Sequence, residues 1–129
     1  MAEDNSNKAY SRRHLWAGLN EKDQTACIGI TEFLAEQFHE IISIDLPEVD
    51  DEIDVDMMFI HFHLGSRIYH LRSPLSGRIL EINKEVLDNP SLLHLNPNIY
   101  WMVKMEYDNA EEIDLLMDER QYTDYIDKL

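Results

Sequence analysis

Cysteine occurs once in the 129 residues, at Cys27. A disulfide within the chain is therefore excluded, and a reducing compartment is the natural setting. Cys27 lies in the apolar run Ala26-Cys27-Ile28 and is expected to be a small core residue. Basic residues are scarce: 11 against 26 acidic ones, a formal net charge of −15. Such a surface repels phosphate backbones and anionic lipid, which argues against nucleic acid and membrane surfaces as partners. Long apolar runs are missing too. None approaches the roughly 20 residues of a membrane span, and the polar start, residues 1–8, has no signal-peptide core. A soluble, cytoplasmic protein is expected. No glycine-rich phosphate loop, nucleophile motif or paired-carboxylate constellation stands out, so no catalytic site of its own is expected.

Hydrophobic residues make up 44% of the chain, enough for the core of one domain of this size. Residues 1–9 are read as a flexible N-terminus and 10–129 as a single domain. Strands are expected over 12–18 and 24–30, with Glu21-Lys22-Asp23 as the turn. Thr31 is a good N-cap for a short helix over 32–38. The β-branched run at 41–44 reads as a strand. Residues 45–56 hold seven acids without the glycine or ligand spacing of a calcium loop and read as a solvated acidic loop. Met57 to Leu64, the turn Gly65-Ser66 and Arg67 to Arg72 form a hairpin. A strand over 76–82, irregular helical turns over 84–95 and a strand over 100–107 follow. In the last, Trp101, Val103 and Met105 are assigned to the core, and Met102, Lys104 and Glu106 to a wet face. Helices over 109–117 and 118–128 close the chain. The pattern implies an α+β fold, mainly β, built on antiparallel sheets.

Six blocks of residues, in order, resemble one known family. They are Tyr10-Ser11 with His14-Leu15-Trp16; Ile28-Gly29-Ile30-Thr31-Glu32-Phe33; Ile44-Asp45-Leu46-Pro47-Glu48-Val49; Ser73-Pro74-Leu75-Ser76-Gly77; Ile82-Asn83 with Asp88-Asn89-Pro90; and Trp101. Together they are similar to the H protein of the glycine cleavage system, from about residue 10 to the C-terminus. The resemblance implies a barrel-sandwich hybrid of the lipoyl-domain kind: two small antiparallel sheets packed face to face, with short peripheral and C-terminal helices. It also implies a lipoate carried on a hairpin lysine, shuttling aminomethyl from glycine decarboxylase to the aminomethyltransferase, with reoxidation by dihydrolipoyl dehydrogenase.

The sequence departs from that pattern where the chemistry would sit. The family's lysine stands eight residues before the proline of Ser-Pro-Val-Ser-Gly, and counting back from Pro74 lands on Ser66. His63 replaces the glutamate three residues earlier. The five lysines, Lys8, Lys22, Lys84, Lys104 and Lys128, all lie outside the hairpin. Arg67 is adjacent, but a permanently protonated guanidinium is no acyl acceptor. The family's Gly-x-Gly-Trp becomes the shorter Ile99-Tyr100-Trp101. Lipoate is therefore expected from the family but not at this hairpin, and no cofactor is expected in its place.

Strand arithmetic offers an alternative. A two-residue turn at Gly65-Ser66 puts His61 opposite His70 and leaves His63 on the same face. Three imidazoles so placed suit a divalent metal, with an acid from the loop completing the set; a pH-sensitive polar face is the plainer reading. His14 and Trp16 are expected to share a face near the barrel edge, and His39 and His94 to lie on the surface. Arg67, Arg72 and Arg78 form a local basic group; Arg67 and Arg72 are candidate contacts for a partner's carboxylates. Three functions stand beside one another: a non-lipoylated scaffold docking glycine-cleavage or lipoate-handling enzymes, a working aminomethyl shuttle, and a metal-binding module on the histidine face.

Overall fold

Side-chain alternation decides how the central hairpin is laid into the protein. Ile60 and Phe62 are fully buried, while His61 and His63 between and beyond them stand half-exposed on the other face. In the computed structural model, which describes residues 7–129, the order is β1 (Lys8–Tyr10), β2 (Leu15–Asn20), β3 (Thr25–Ile30), α1 (Glu32–Ala35), β4 (Ser43–Asp45), β5 (Glu52–Ile53), β6 (Met58–Leu64), β7 (Arg67–Arg72), β8 (Gly77–Ile82), α2 (Lys84–Asp88), α3 (Leu92–Leu95), β9 (Val103–Tyr107), a 3-10 turn at Ala110–Leu115 and α4 (Glu119–Asp127). Six strands form one sheet in the order β1-β2-β3-β9-β8-β5, and three form the other, β4-β6-β7. Every pairing is antiparallel. Ile28, Ile79 and Met105 of the larger sheet share one core with Ile44, Ile60, Phe62 and Leu71 of the smaller. This is the mainly β α+β architecture that the sequence pattern implies, with the two sheets and short helices that the family resemblance implies.

Several boundaries move. The chain is already a strand at Lys8, so order begins inside the stretch read as a flexible terminus; residues 1–6 lie outside the described residues. The strand expected from residue 12 starts at Leu15, because His14 takes a left-handed φ of 71° and closes a turn, with the His14 N–H donating to the Ser11 carbonyl at 3.1 Å. The acidic loop contains β5, which pairs with β8 through Glu52↔Arg78 and Ile53↔Gly77; Ile53 supplies the buried side chain that anchors it. α1 stops after one turn. Met102, expected on a wet face, is wholly buried, because the strand begins only at Val103 and the Met102 N–H donates to the Ile28 carbonyl at 2.7 Å. The helix expected over 109–117 is the 3-10 turn.

The segment Ser73-Pro74-Leu75-Ser76-Gly77 carries the chain from one sheet to the other. Ser73 Oγ donates to the Leu75 carbonyl at 2.6 Å, and the Ser73 N–H donates to the Met57 carbonyl at 2.9 Å. Leu75 is fully buried. Ser76 holds Glu112 at both carboxylate oxygens, through its N–H at 2.8 Å and its Oγ at 2.9 Å. Gly77 faces the β9 backbone so closely that a Cβ would collide with the Glu106 carbonyl.

Candidate functional site

The tip of the β6–β7 hairpin is the place the sequence marks out. The pairings Leu64↔Arg67, His63↔Ile68 and His61↔His70 are those expected from a two-residue turn. Gly65 and Ser66 are both exposed, and neither takes a positive φ. A Cβ added at Gly65 would meet nothing within 4 Å. The tip therefore accepts ordinary L residues, and the backbone imposes no reason for a lysine to be missing from it. Ser66 projects at the rim of a shallow depression of about 250 Å³, with Ile42, His63 and Arg67 among its walls.

The histidines divide into two contacts. His61 Nδ1 and His70 Nδ1 lie 2.7 Å apart across the strands, with the rings edge to face. One ring must offer N–H and the other its lone pair. That separation is shorter than the roughly 3.3 Å between two nitrogens sharing a tetrahedral zinc at about 2.0–2.1 Å each. His63 turns the other way, to Asp45 of β4, with Nε2 at 2.7 Å from Oδ2. Among the described residues, no three histidine, cysteine or acidic side chains come together in a metal-holding group. The structure thus joins two of the three candidate ligands and pairs the third with an acid.

The expected arginine group is dispersed. Arg67 and Arg72 stand at opposite ends of β7, and their odd separation puts them on opposite faces. Arg78 is held by Asp50 at 2.9 Å and Glu106 at 3.3 Å; the hydrogen bond to Glu106, above all, raises its pKa. Arg72 instead meets Arg12 and Arg13 around another pocket. The adjacent basic pair in the sequence was the available signal for that meeting, but only the fold brings it to the end of β7.

His14, which lines the same pocket, begins a partly buried chain of polar contacts. His14 Nδ1 and Tyr122 Oη are 2.8 Å apart, Tyr122 Oη and Thr31 Oγ1 are 2.8 Å apart, and Thr31 Oγ1 accepts the Leu34 N–H at 3.2 Å as the cap of α1. Burial lowers the His14 pKa and raises that of Tyr122. His14 and Trp16 do not form one patch. The ring of His14 packs on Phe33, whereas Trp16 is buried and its Nε1–H donates to the Pro97 carbonyl at 2.9 Å. Cys27 is half-buried, not a core residue: it faces a groove beside Trp16, Trp101 and Lys104, while its neighbours Ala26 and Ile28 fill the core. His39 is exposed, and His94 Nε2 lies 2.9 Å from the Phe38 carbonyl. Among the described residues, no helix is long and apolar enough to cross a membrane.

Comparison with known proteins agrees with this geometry. The family model for glycine cleavage H-protein matches residues 8–129. The chain is 35% identical over 118 residues to the glycine cleavage system H protein of Staphylococcus saprophyticus, covering 91% of this chain and 92% of that one. It is 34% identical over 119 residues to the protein of the same name from Alkaliphilus oremlandii, covering 92% of each. The crystal structure of a glycine cleavage system H protein from Mycobacterium marinum shares the fold, with a TM-score of 0.80 over 96% of this chain and 98% of that one at 20% identity. A hairpin of matching register, the Ser-Pro-Leu-Ser-Gly crossing between two sheets and these end-to-end matches lead to one assignment: the chain belongs to the glycine cleavage H-protein family.

Proposed function

We propose that this chain is a non-lipoylated member of its family, a scaffold that engages glycine-cleavage or lipoate-handling enzymes without carrying the arm. Membership makes it a carrier-type protein with no catalytic site of its own. The observation that carries the reading is the hairpin tip, Leu64-Gly65-Ser66-Arg67, which holds no lysine. An amide to lipoate needs an amine; the Ser66 hydroxyl offers neither that bond nor a lysine's reach, and the Arg67 guanidinium stays protonated. Arg67 and Ser66 at the exposed tip are the side chains such an enzyme would meet first, with Arg67 the contact for its carboxylates.

Intact-mass spectrometry after incubation with lipoate, ATP and a lipoate ligase tests the reading. The wild-type chain is expected to stay unmodified. The Ser66→Lys variant, alone or with His63→Glu, is expected to gain one lipoyl group, because the tip backbone tolerates the substitution. A lipoyl adduct on the wild type would overturn the proposal and restore the aminomethyl shuttle. Pull-down against the glycine-cleavage and lipoate-handling enzymes tests the docking half, and binding to none of them would sink it.

A further inference from the structure

The outer face of the three-stranded sheet carries two imidazoles turned towards each other. Successive residues of a strand alternate between faces. Ile60, Phe62 and Leu71 therefore fill the core, while His61 and His70, directly opposite one another, stand towards water. Their Nδ1 atoms are 2.7 Å apart. The next row towards the tip pairs His63 with the exposed Ile68, and Asp45 of β4 lies across from His61. Asp45 is already engaged, with Oδ2 at 2.7 Å from His63 Nε2. Arg72, two residues beyond His70, donates an N–H to the Asp56 carbonyl at 2.9 Å.

Imidazole nitrogen is a good ligand for zinc and its neighbours among the divalent transition metals. Opposite positions on paired strands already hold these two rings together, so an ion need not gather them. In the neutral pair, one ring donates its Nδ1–H to the lone pair of the other. For both Nδ1 atoms to hold a metal, that proton moves to Nε2 of its own ring, a change of tautomer that releases no proton. The two nitrogens also part from 2.7 Å to about 3.3 Å. Small rotations of side chains outside the core supply that distance. Two ligands leave a tetrahedral ion half-coordinated. Among the described residues, no third histidine, cysteine or acid joins the pair. A two-fold axis through the ion would bring the same two imidazoles from a second copy of the chain and complete the set.

We propose that His61 and His70 bind a zinc-class divalent cation shared with the same pair of a second copy, one ion to two chains. The metal holds this dimer together, because each copy carries a net charge of −15 and repels the other without it. Ile68, 46% exposed beside the pair, gains cover from the partner. The site stands apart from the Gly65-Ser66 tip, and the inference holds whether or not the chain is lipoylated.

Sedimentation velocity and native mass spectrometry of the untagged full-length protein, with Zn²⁺ added stepwise, test this. Without metal the chain is expected to be a monomer. At half an equivalent of Zn²⁺ a dimer holding one ion is expected, and EDTA should return the monomer. His61→Ala and His70→Ala are each expected to weaken zinc-dependent dimerisation at least tenfold. His63→Ala is expected to leave it within twofold, since His63 turns to Asp45. All three side chains lie outside the core, so the variants keep the fold, which circular dichroism checks. Failure of zinc to produce a dimer would overturn the proposal, whether or not the ion binds. So would a dimer that forms without metal, or one indifferent to both His61→Ala and His70→Ala. A loss in His63→Ala as large as in those two variants would equally refute the assignment of ligands.

Discussion

Two glycines show how differently one residue type is constrained in this protein. At Gly77, a Cβ would run into the Glu106 carbonyl of the neighbouring strand, and the φ is not positive, so the demand is for space alone. Gly77→Ala is expected to cost about 1–3 kcal/mol, typical of overpacking. Urea unfolding should show the midpoint falling at an unchanged slope. Gly65→Ala, at the open hairpin tip, is expected to be neutral or slightly stabilising, since it restricts only the unfolded chain. Equal losses in the two variants would refute the distinction. His14 gives the residue-scale pH dependence. Burial holds its folded pKa below the unfolded value of about 6.5. The unfolded chain therefore takes up the proton first as pH falls. The stabilisation is complete above the unfolded pKa and is lost as pH falls through the lower, folded value. His14→Asn, which retains a residue type tolerant of the left-handed φ, should show a smaller drop in Tm between pH 7.5 and pH 5.5 than the wild type.

Among the elements, α4 depends most plainly on local chemistry. Asp118 Oδ1 accepts the Gln121 N–H at 2.8 Å, and Gln121 Oε1 accepts the Asp118 N–H at 2.9 Å, a complete capping box. The helix then delivers Tyr122, its buried residue, to His14 and Thr31. Asp118→Ala is expected to cost about 1 kcal/mol. Hydrogen exchange should show faster exchange concentrated in 119–127, and uniform acceleration across the sheets would argue against a local role. The β6–β7 hairpin was the most legible element in the sequence. A two-residue turn fixes the pairing from Leu64↔Arg67 to Ile60↔Leu71, and the burial of Ile60 and Phe62 forbids a one-residue slip there; beyond Ile60 the register shifts, to Met58↔Arg72. β5 was hidden because two residues inside an acidic run have no period of their own. Only the partner strand and the burial of Ile53 define it.

Charge acts on the molecule as a whole. With a net charge of −15 and, among the described residues, only two arginine–carboxylate ion pairs, both made by Arg78, most acids face water and repel one another. Raising NaCl from about 10 mM to about 500 mM shortens the Debye length from about 30 Å to under 10 Å and should therefore raise Tm. A Tm that stays flat or falls would mean that local pairs outweigh the net repulsion.

The sequence by itself determined the mainly β, antiparallel class, the hairpin register, the family resemblance that implied two sheets, and the missing hairpin lysine. Each rests on local order: alternation, turn length, motif sequence and residue identity. The tertiary structure decided which side chains meet. It turned His63 towards Asp45 and away from His61 and His70, moved Cys27 out of the core, and separated Arg67 from Arg72. It also brought Arg12 and Arg13 to Arg72 across roughly sixty residues of chain. Such meetings depend on how sheets and connections are stacked. That stacking is fixed by the burial of Ile28, Ile79 and Phe62 in the shared core, and is not encoded in the spacing of the charged residues themselves.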